Sequence, residues 1–430
     1  MDDTDLPRVR IEKLVHGGQG IGELADGRKC FVWNALPGEL VTVQLTKRKR
    51  DWAEGMAVEI IEQSPDRTAP KEPDIFTATS PWQIINFAKE AELKQAILSE
   101  TFEREHVAVD WQSFYQDKQN FEYRNKMEYN FWFFNETGKV SLALHRRGSH
   151  QKVAVEGSVL AHPAINVAGK ALVEFINKNK IEARPLKSVI LRSSADGKVG
   201  ISLFVNDKVV AEKFVTFSYP NSIFEIVYSN PKSPASVTTE VLQPSSDLLT
   251  DTLLGKKFSY TTRSFFQVNI PVYEAALKEI AAAVETSGQK QIVDLYSGVG
   301  SIGLSVVADN QRLTMVEISE ESTAQAQQNI KDASNCKVVI ATAEASLDYI
   351  VSDAVIIVDP PRVGLHADVT KRLDEVKPPT VIYLSCNPST QARDIKLLLD
   401  TGYKITHARG YNFFPRTPHI ESLFILKIDK

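Results

Sequence analysis

Between residues 291 and 384 the chain repeats one pattern: a short apolar run, an abrupt breaker, then a helical stretch. The runs are 291–296, 313–318, 337–341, 354–359 and 381–384. Strands separated by helices form βαβ units, which predicts a doubly wound, mostly parallel sheet. The helices carry their own punctuation. Pro271 can open one at its first turn, Tyr273, Leu277, Ile280 and Val284 mark one face, and Gly288 follows its end. Ser319 is a credible N-cap for another, running to about Asp332. Open α/β sheets bind ligands outside the carboxyl ends of their strands, so the residues at the breakers carry the chemical information.

The rest of the chain is organised differently. Residues 7–63 read as a small β-barrel. Segments 9–14, 29–33, 40–46 and 57–61 alternate with the turns Gly17-Gly18-Gln19-Gly20 and Pro37-Gly38. Residues 64–73 are polar and proline-rich, and 89–106 has helical periodicity. Residues 120–245 read as α+β, with strands at 126–134, 140–145, 189–192 and 198–205. A helix is expected at 162–179 and a hairpin turn at Asp196-Gly197. The expected division is 1–64, 65–250 and 251–430.

Composition narrows the class. With 43% hydrophobic and 24% charged residues this is an ordinary globular chain. No apolar run reaches bilayer length, and the acidic start MDDTDLPRVR lacks a signal-peptide core. The three cysteines, Cys30, Cys336 and Cys386, are too few and scattered for a disulfide framework or a cysteine-rich metal site. A cytoplasmic protein is expected. The net charge of −4 is not that of a polycation, but the run Lys47-Arg48-Lys49-Arg50 is a local candidate for phosphate contact.

The breakers differ in character. Asp294-Leu295-Tyr296-Ser297-Gly298-Val299-Gly300-Ser301-Ile302-Gly303 is a glycine-rich loop that lets a ligand approach the backbone near a helix start. The acidic residue that such a pattern places ~20 residues on is Glu317, whose carboxylate can accept both hydroxyls of a ribose. Asp359-Pro360-Pro361 cannot continue a ladder and builds a rigid corner. Asn387-Pro388 forces a turn directly after Cys386, which puts a thiol at the sheet's rim. A lone thiol is more often core packing, so its neighbours must decide. Near the end, His419 and Glu421 stand at the entrance to a strand, where acid–base work is possible.

Taken together, Ser264-Phe265-Phe266-Gln267-Val268-Asn269, DLYSGVGSIGL, VDPPRVGL, LSCNP and FPRTPHIE resemble the RNA uracil-C5 methyltransferases, in that family's order over about 260–426. Residues 7–63 resemble a TRAM domain, an oligonucleotide-binding-type barrel. The central FEYRNK and LHRRGSH stretches fit as well. The resemblance implies a TRAM barrel, a central α+β domain and a C-terminal Rossmann-like class I methyltransferase domain. It implies a methyl donor, S-adenosylmethionine, and a uridine in RNA as acceptor. Cys386 would be the nucleophile toward C6 and Glu421 the proton acceptor. Gln267, Tyr296, Glu317 and Asp359 match cofactor-contacting positions; Ser301 occupies a cofactor position often filled by Asn, and Glu344 one near the adenine. Phe265 and Phe266 are candidates to wall the base. Arg124, Lys126, Arg146 and Arg147, with the Lys47–Arg50 run, are candidates for phosphate.

One departure is plain. Many barrel-bearing relatives hold an iron–sulfur cluster on cysteines just after the barrel and downstream of the arginine-rich central strand. Here residues 71–83 contain no cysteine, and Ser158 stands at the downstream position. Such clusters need thiolates, so none is expected, and Phe76 and Trp82 are expected to hold this region by packing. By resemblance the barrel favours ribosomal over transfer RNA. A monomer without an obligate protein partner or membrane contact is expected. The rival readings are a methyltransferase for amines or small molecules, a non-catalytic RNA-binding protein, and a nicotinamide oxidoreductase. The last accounts only for the glycine loop and Glu317.

Overall fold

The structure, a computed structural model, describes residues 6–147, 151–331 and 333–428, and the statements below refer to these. Gly148–His150, the end of the LHRRGSH stretch, and Asp332 lie outside them.

Strands β1 (Arg8–Leu14), β2 (Gly20–Glu23), β3 (Lys29–Trp33), β4 (Leu40–Arg48) and β5 (Trp52–Glu62) close into a barrel, in the order β1-β2-β3-β5-β4. Alternation drives closure: Val9, Ile11, Val32, Val41 and Val43 point inward and are almost fully buried. Each such side chain contributes ~1.5–3 kcal/mol. β2 is the strand the sequence hides, because its glycines leave no apolar alternation to read. They are required by packing: a Cβ on Gly22 would lie 2.2 Å from the Arg10 carbonyl oxygen.

The chain then forms α1 (Phe76–Thr79) and α2 (Phe87–Arg104), which Asn86 caps by accepting from the Ala88 N–H. Phe76 and Trp82 are buried as expected, but the hold on this region is also polar. Gln83 Nε2 donates to Glu72 Oε2 at 3.0 Å, and Thr79 Oγ1 donates to the same oxygen at 2.9 Å. Glu72 Oε1 accepts from the Val159 N–H at 3.0 Å, next to Ser158. Packing alone is therefore not the answer: a hydrogen-bonded carboxylate joins residues 71–83 to the Ser158 turn.

The central sheet runs β12-β11-β10-β9-β6-β7-β8. Its strands are β6 (Lys126–Phe134), β7 (Lys139–His145), β8 (Lys152–Val155), β9 (Leu186–Ser193), β10 (Val199–Val205), β11 (Ser222–Tyr228) and β12 (Glu240–Gln243). Helix α3 (Pro163–Lys178) covers one face, setting Ile165, Leu172 and Ile176 against Tyr129, Phe131 and Leu191. A hairpin of β13 (Leu249–Leu253) and β14 (Lys256–Tyr260) leads into the loop 261–269.

The C-terminal sheet has the order β17-β16-β15-β18-β19-β21-β20. After α4 (Ile270–Ser287) come β15 (Gln291–Leu295), α5 (Ser301–Val306), β16 (Arg312–Glu317), α6 (Glu320–Asn329), β17 (Cys336–Ile340) and β18 (Ala354–Val358). Then follow α7 (Ala367–Val376), β19 (Thr380–Ser385), α8 (Pro388–Asp400), β20 (Lys404–Tyr411) and β21 (Glu421–Lys427). The sheet is parallel except for β21, which is antiparallel to β19 and β20. β18 is buried throughout, as expected for a strand covered on both faces, and this is why its run reads as continuously apolar. Gly288 closes α4 in the left-handed conformation.

Candidate active site

Register brings the chemical residues together. β19 and β21 pair Ser385 with Ser422, so one residue further on Cys386 faces Glu421. β18 pairs Val358 with Tyr383, which sets Asp359 on the neighbouring strand end. Asn387 then fixes the turn. Its N–H donates to Ser385 Oγ at 3.1 Å, its side chain accepts from the Ser389 N–H at 3.2 Å, and its Nδ2 donates to the Arg362 carbonyl at 2.7 Å. Pro388 begins α8 directly afterwards. The proline corner and the thiol corner are thus bonded to each other, and Cys386 directly precedes Asn387, the N-cap of α8.

The site is crowded with acids. Burial raises the Asp359 carboxyl to about 7. Burial, then repulsion from Asp359, pushes Glu421 well above the usual carboxylate range, while Arg362 pulls it down. Glu421 Oε2 is buried without a hydrogen-bond partner. Cys386 is raised to about 11, first by burial and then by Glu421 and Asp359, with Arg362 opposing. Burial and mutual repulsion thus favour the protonated forms of the thiol and of both acids, and Arg362 opposes this. His419 is lowered to about 3 by burial and then by Arg362, so it is neutral.

These side chains line a cleft of about 1580 Å³ that also takes in Gln267, Tyr296, Glu317 and Glu344. Glu317 accepts from the Gly298 N–H at 2.9 Å and the Ser319 N–H at 2.8 Å, which latches the glycine loop to the end of β16. Each carboxylate oxygen keeps a lone pair for a further donor. Tyr296 sits at φ +63°, a strained conformation for a non-glycine residue, directly after β15. Ser301 is not among the residues lining the cleft: it starts α5, and its hydroxyl pairs with that of Tyr273 at 2.9 Å. The Phe-Phe pair also splits. Both contribute to the cleft lining, but Phe265 is 62% exposed whereas Phe266 is buried and stacks on Tyr260 at 4.4 Å. Residues on a loop between a hairpin and a helix have no period to show which will turn inward.

Sequence reading assigned no role to Arg362, Asp294 or Arg192. Arg362 is the cation that opposes the raised pKa of Cys386, and its place directly after Pro360-Pro361 was the available signal. Asp294 accepts from the Gly303 N–H at 2.8 Å, while its other oxygen is buried and unpartnered. Arg192 is fully buried and donates to the Ser264 carbonyl at 2.9 Å and the Phe266 carbonyl at 3.2 Å, on either side of Phe265. Asn125 adds a bond to the Gln267 carbonyl at 3.1 Å. The central domain therefore grips the loop that carries both Phe265 and Gln267.

Of the expected phosphate contacts, Arg124 and Lys126 line the cleft, and Lys126 is lowered to about 7 by burial and then by Arg192. Arg146 is exposed, whereas Arg147 lies half-buried over the Trp33 ring at 4.9 Å. Lys47 stands over the Trp52 ring at 4.7 Å on the β4–β5 hairpin. The barrel also reaches the tail: the Trp82 indole N–H donates to the Gly18 carbonyl at 3.0 Å, and a Cβ on Gly18 would lie 2.2 Å from Pro418. Among the described residues no helix is long and apolar enough to cross a membrane, and no group of three or more His, Cys, Asp or Glu side chains is placed to hold a metal ion.

The sequence model of the tRNA (Uracil-5-)-methyltransferase family matches residues 86–347 and 343–428, and that of the TRAM domain matches residues 7–58. The chain belongs to this family. It is an RNA methyltransferase by family, with a TRAM barrel at its N-terminal end. Relatives named as uncharacterized RNA methyltransferases include one from Clostridium tetani, 28% identical over 97% of both chains. Another, from Enterococcus faecalis, is 27% identical over 98% of this chain and 97% of its own. Among solved structures, the Pyrococcus abyssi tRNA (uracil-54, C5)-methyltransferase in complex with S-adenosyl-L-homocysteine shares the fold, with a TM-score of 0.78. It is 23% identical and covers 97% of this chain and 100% of that one.

Proposed function

We infer that this methyltransferase places a methyl group on C5 of a uridine in RNA by covalent catalysis from Cys386. The observation that carries the reading is the thiol, the carboxyl pair and Arg362 converging on one cleft that also holds the glycine loop and Glu317. S-adenosylmethionine supplies an electrophilic methyl group there. The chain's residues fit it: Glu317 for the ribose, the backbone of Gly298 for close approach, Gln267 and Tyr296 on the walls, and acids at Asp359 and Glu421 for a cationic sulfur.

Uracil C5 is a weak nucleophile, and Cys386 changes that. The thiol gives up its proton to the neighbouring carboxylate system as sulfur bonds to C6, and the C5=C6 electron pair moves toward O4. C5 can then accept the methyl group. The methyl donor leaves as S-adenosylhomocysteine. Glu421, in its carboxylate form, takes the C5 proton, and the C6–S bond breaks with its electron pair returning to sulfur. C5=C6 is restored, and the thiolate takes back the proton it gave up. Arg362 offsets the acids around the sulfur. His419, neutral and packed against Phe414 at 5.6 Å, shapes the wall. Phe265 offers the base an exposed ring, since a uracil must leave its helix or lie in a loop to be reached.

The domain division proposed is a barrel at 1–64 and an α+β unit at 65–250 for RNA, with the methyltransferase unit at 251–430. Ribosomal RNA is the reading the barrel favours by resemblance. The barrel loses weight as a discriminator because a transfer-RNA enzyme covers 97% of this chain, and that observation favours transfer RNA as the second reading. Methyl transfer from labelled cofactor to separated tRNA and rRNA pools, followed by mapping, tests both. Label at C5 of a uridine is expected. Label on an amine or small molecule, or methylation surviving Cys386→Ala, contradicts the reading.

A further inference from the structure

Strand β6 alternates without a bulge in its pairings with β7 and β9. Met127, Tyr129 and Phe131 point toward α3 and are core. The opposite face carries Lys126 and Glu128 into the cleft, then Asn130, Trp132 and Phe134. Trp132 is 50% exposed, an unusual position for the largest apolar side chain, and Phe134 is half-buried. Register puts cations beside them. Lys139 pairs directly with Phe134, and the Lys152 ammonium stands 4.3 Å over the Trp132 ring. The acid on this face, Glu128, accepts from Ser236 Oγ at 2.6 Å.

An aromatic face flanked by lysines, continuous with a cleft that ends in a basic wall, fits one occupant by charge and shape. We propose that Trp132, with Phe134, Lys139 and Lys152, forms a stacking platform for unpaired nucleotides flanking the target uridine, about 20 Å along β6 from Lys126 at a rise of ~3.3 Å per residue. Each base presents a π-face to the indole, and the ammonium groups meet the backbone phosphates alongside, so the contact adds reach without reading sequence. The proposal rests on RNA being the substrate and deepens that reading by assigning a place to the flanking strand.

The test uses oligouridylates of about four and about twelve nucleotides, the shorter filling only the cleft and the longer able to reach Trp132. Wild type is expected to bind the longer one more tightly. Trp132→Ala is expected to weaken the longer by about tenfold, the size of one base–aromatic stack, and to leave the shorter and S-adenosylmethionine binding unchanged. Trp132→Phe should restore most of the loss. An unchanged thermal midpoint is expected for an exposed position. Equal affinity of Trp132→Ala and wild type for the longer oligomer overturns the platform, as does an equal loss on both lengths or no binding by wild type. Failure of the C5-methylation reading is separate: it shows as no methyl transfer by wild type, whatever the affinities.

Discussion

At the scale of single residues, the site depends on charges held where they do not ionise easily. Asp359 has a folded pKa of about 7 against an ordinary value of 3.8. An acid raised in this way costs stability once pH passes its unfolded value, and the cost is complete above its folded one. Asp359→Asn should therefore stabilise the protein at pH 8, by on the order of 2–4 kcal/mol, and change little at pH 4. Urea unfolding at the two pH values checks this, and an equal difference at both would refute it. The same substitution removes a charge that raises Glu421. The acid limb of the single-turnover pH profile should then move to lower pH, even as the rate falls. Arg362→Leu should act on the thiol in the opposite sense from losing an acid. With its opposing cation gone, Cys386 rises further and iodoacetamide labelling shifts to higher pH. Unchanged labelling would remove Arg362 from the account.

At the scale of elements, the catalytic strands were readable because burial on both faces makes them continuously apolar and because breakers end them. Asp359, Cys386 and Glu421 stand at those ends, so their positions could be read with them. β20 could not, since its sequence Lys-Ile-Thr-His-Ala-Arg-Gly-Tyr mixes charge into an edge strand. A motif position says nothing of which way a helix's first residue faces, as at Ser301, and Arg192 was invisible because only the fold brings it to the 261–269 loop. Helix α2 was legible by period, but its task was not. Glu90 and Lys94 are fully buried on it. Glu90 accepts from the Arg416 N–H at 3.0 and 3.1 Å, while Lys94 donates to Asn412 Oδ1 at 2.6 Å and the Phe414 carbonyl at 3.1 Å. This pair anchors the tail that presents His419 and Glu421. Glu90→Ala strands a buried ammonium and should cost about 3–5 kcal/mol in urea unfolding. The double change Glu90→Gln with Lys94→Met should cost markedly less. Equal losses would mean that the tail is held by something else.

At the scale of the whole molecule, the central sheet and the methyltransferase unit meet around one cleft, and the barrel packs against the tail that enters it. The barrel turn at Gly18 packs on Pro418 of the tail, and Arg192 and Asn125 of the central unit grip the loop before α4. RNA binding should accordingly be salt-dependent and spread over all three. Arg124→Gln should lower the slope of log affinity against log salt by ~0.7 if it meets one phosphate of a single strand. A slope equal to wild type would take Arg124 out of the interface. The central claim, a sulfur–carbon bond between Cys386 and uracil C6, is tested most directly with RNA containing 5-fluorouridine in place of uridine. Fluorine cannot leave C5 as a proton, so the enzyme, S-adenosylmethionine and this RNA should form a complex that survives denaturation. Mass spectrometry should then find the methylated fluorouridine on the peptide carrying Cys386, and Cys386→Ala should form none. RNA that is methylated at C5 with no such adduct, or an adduct on any other residue, would contradict the account.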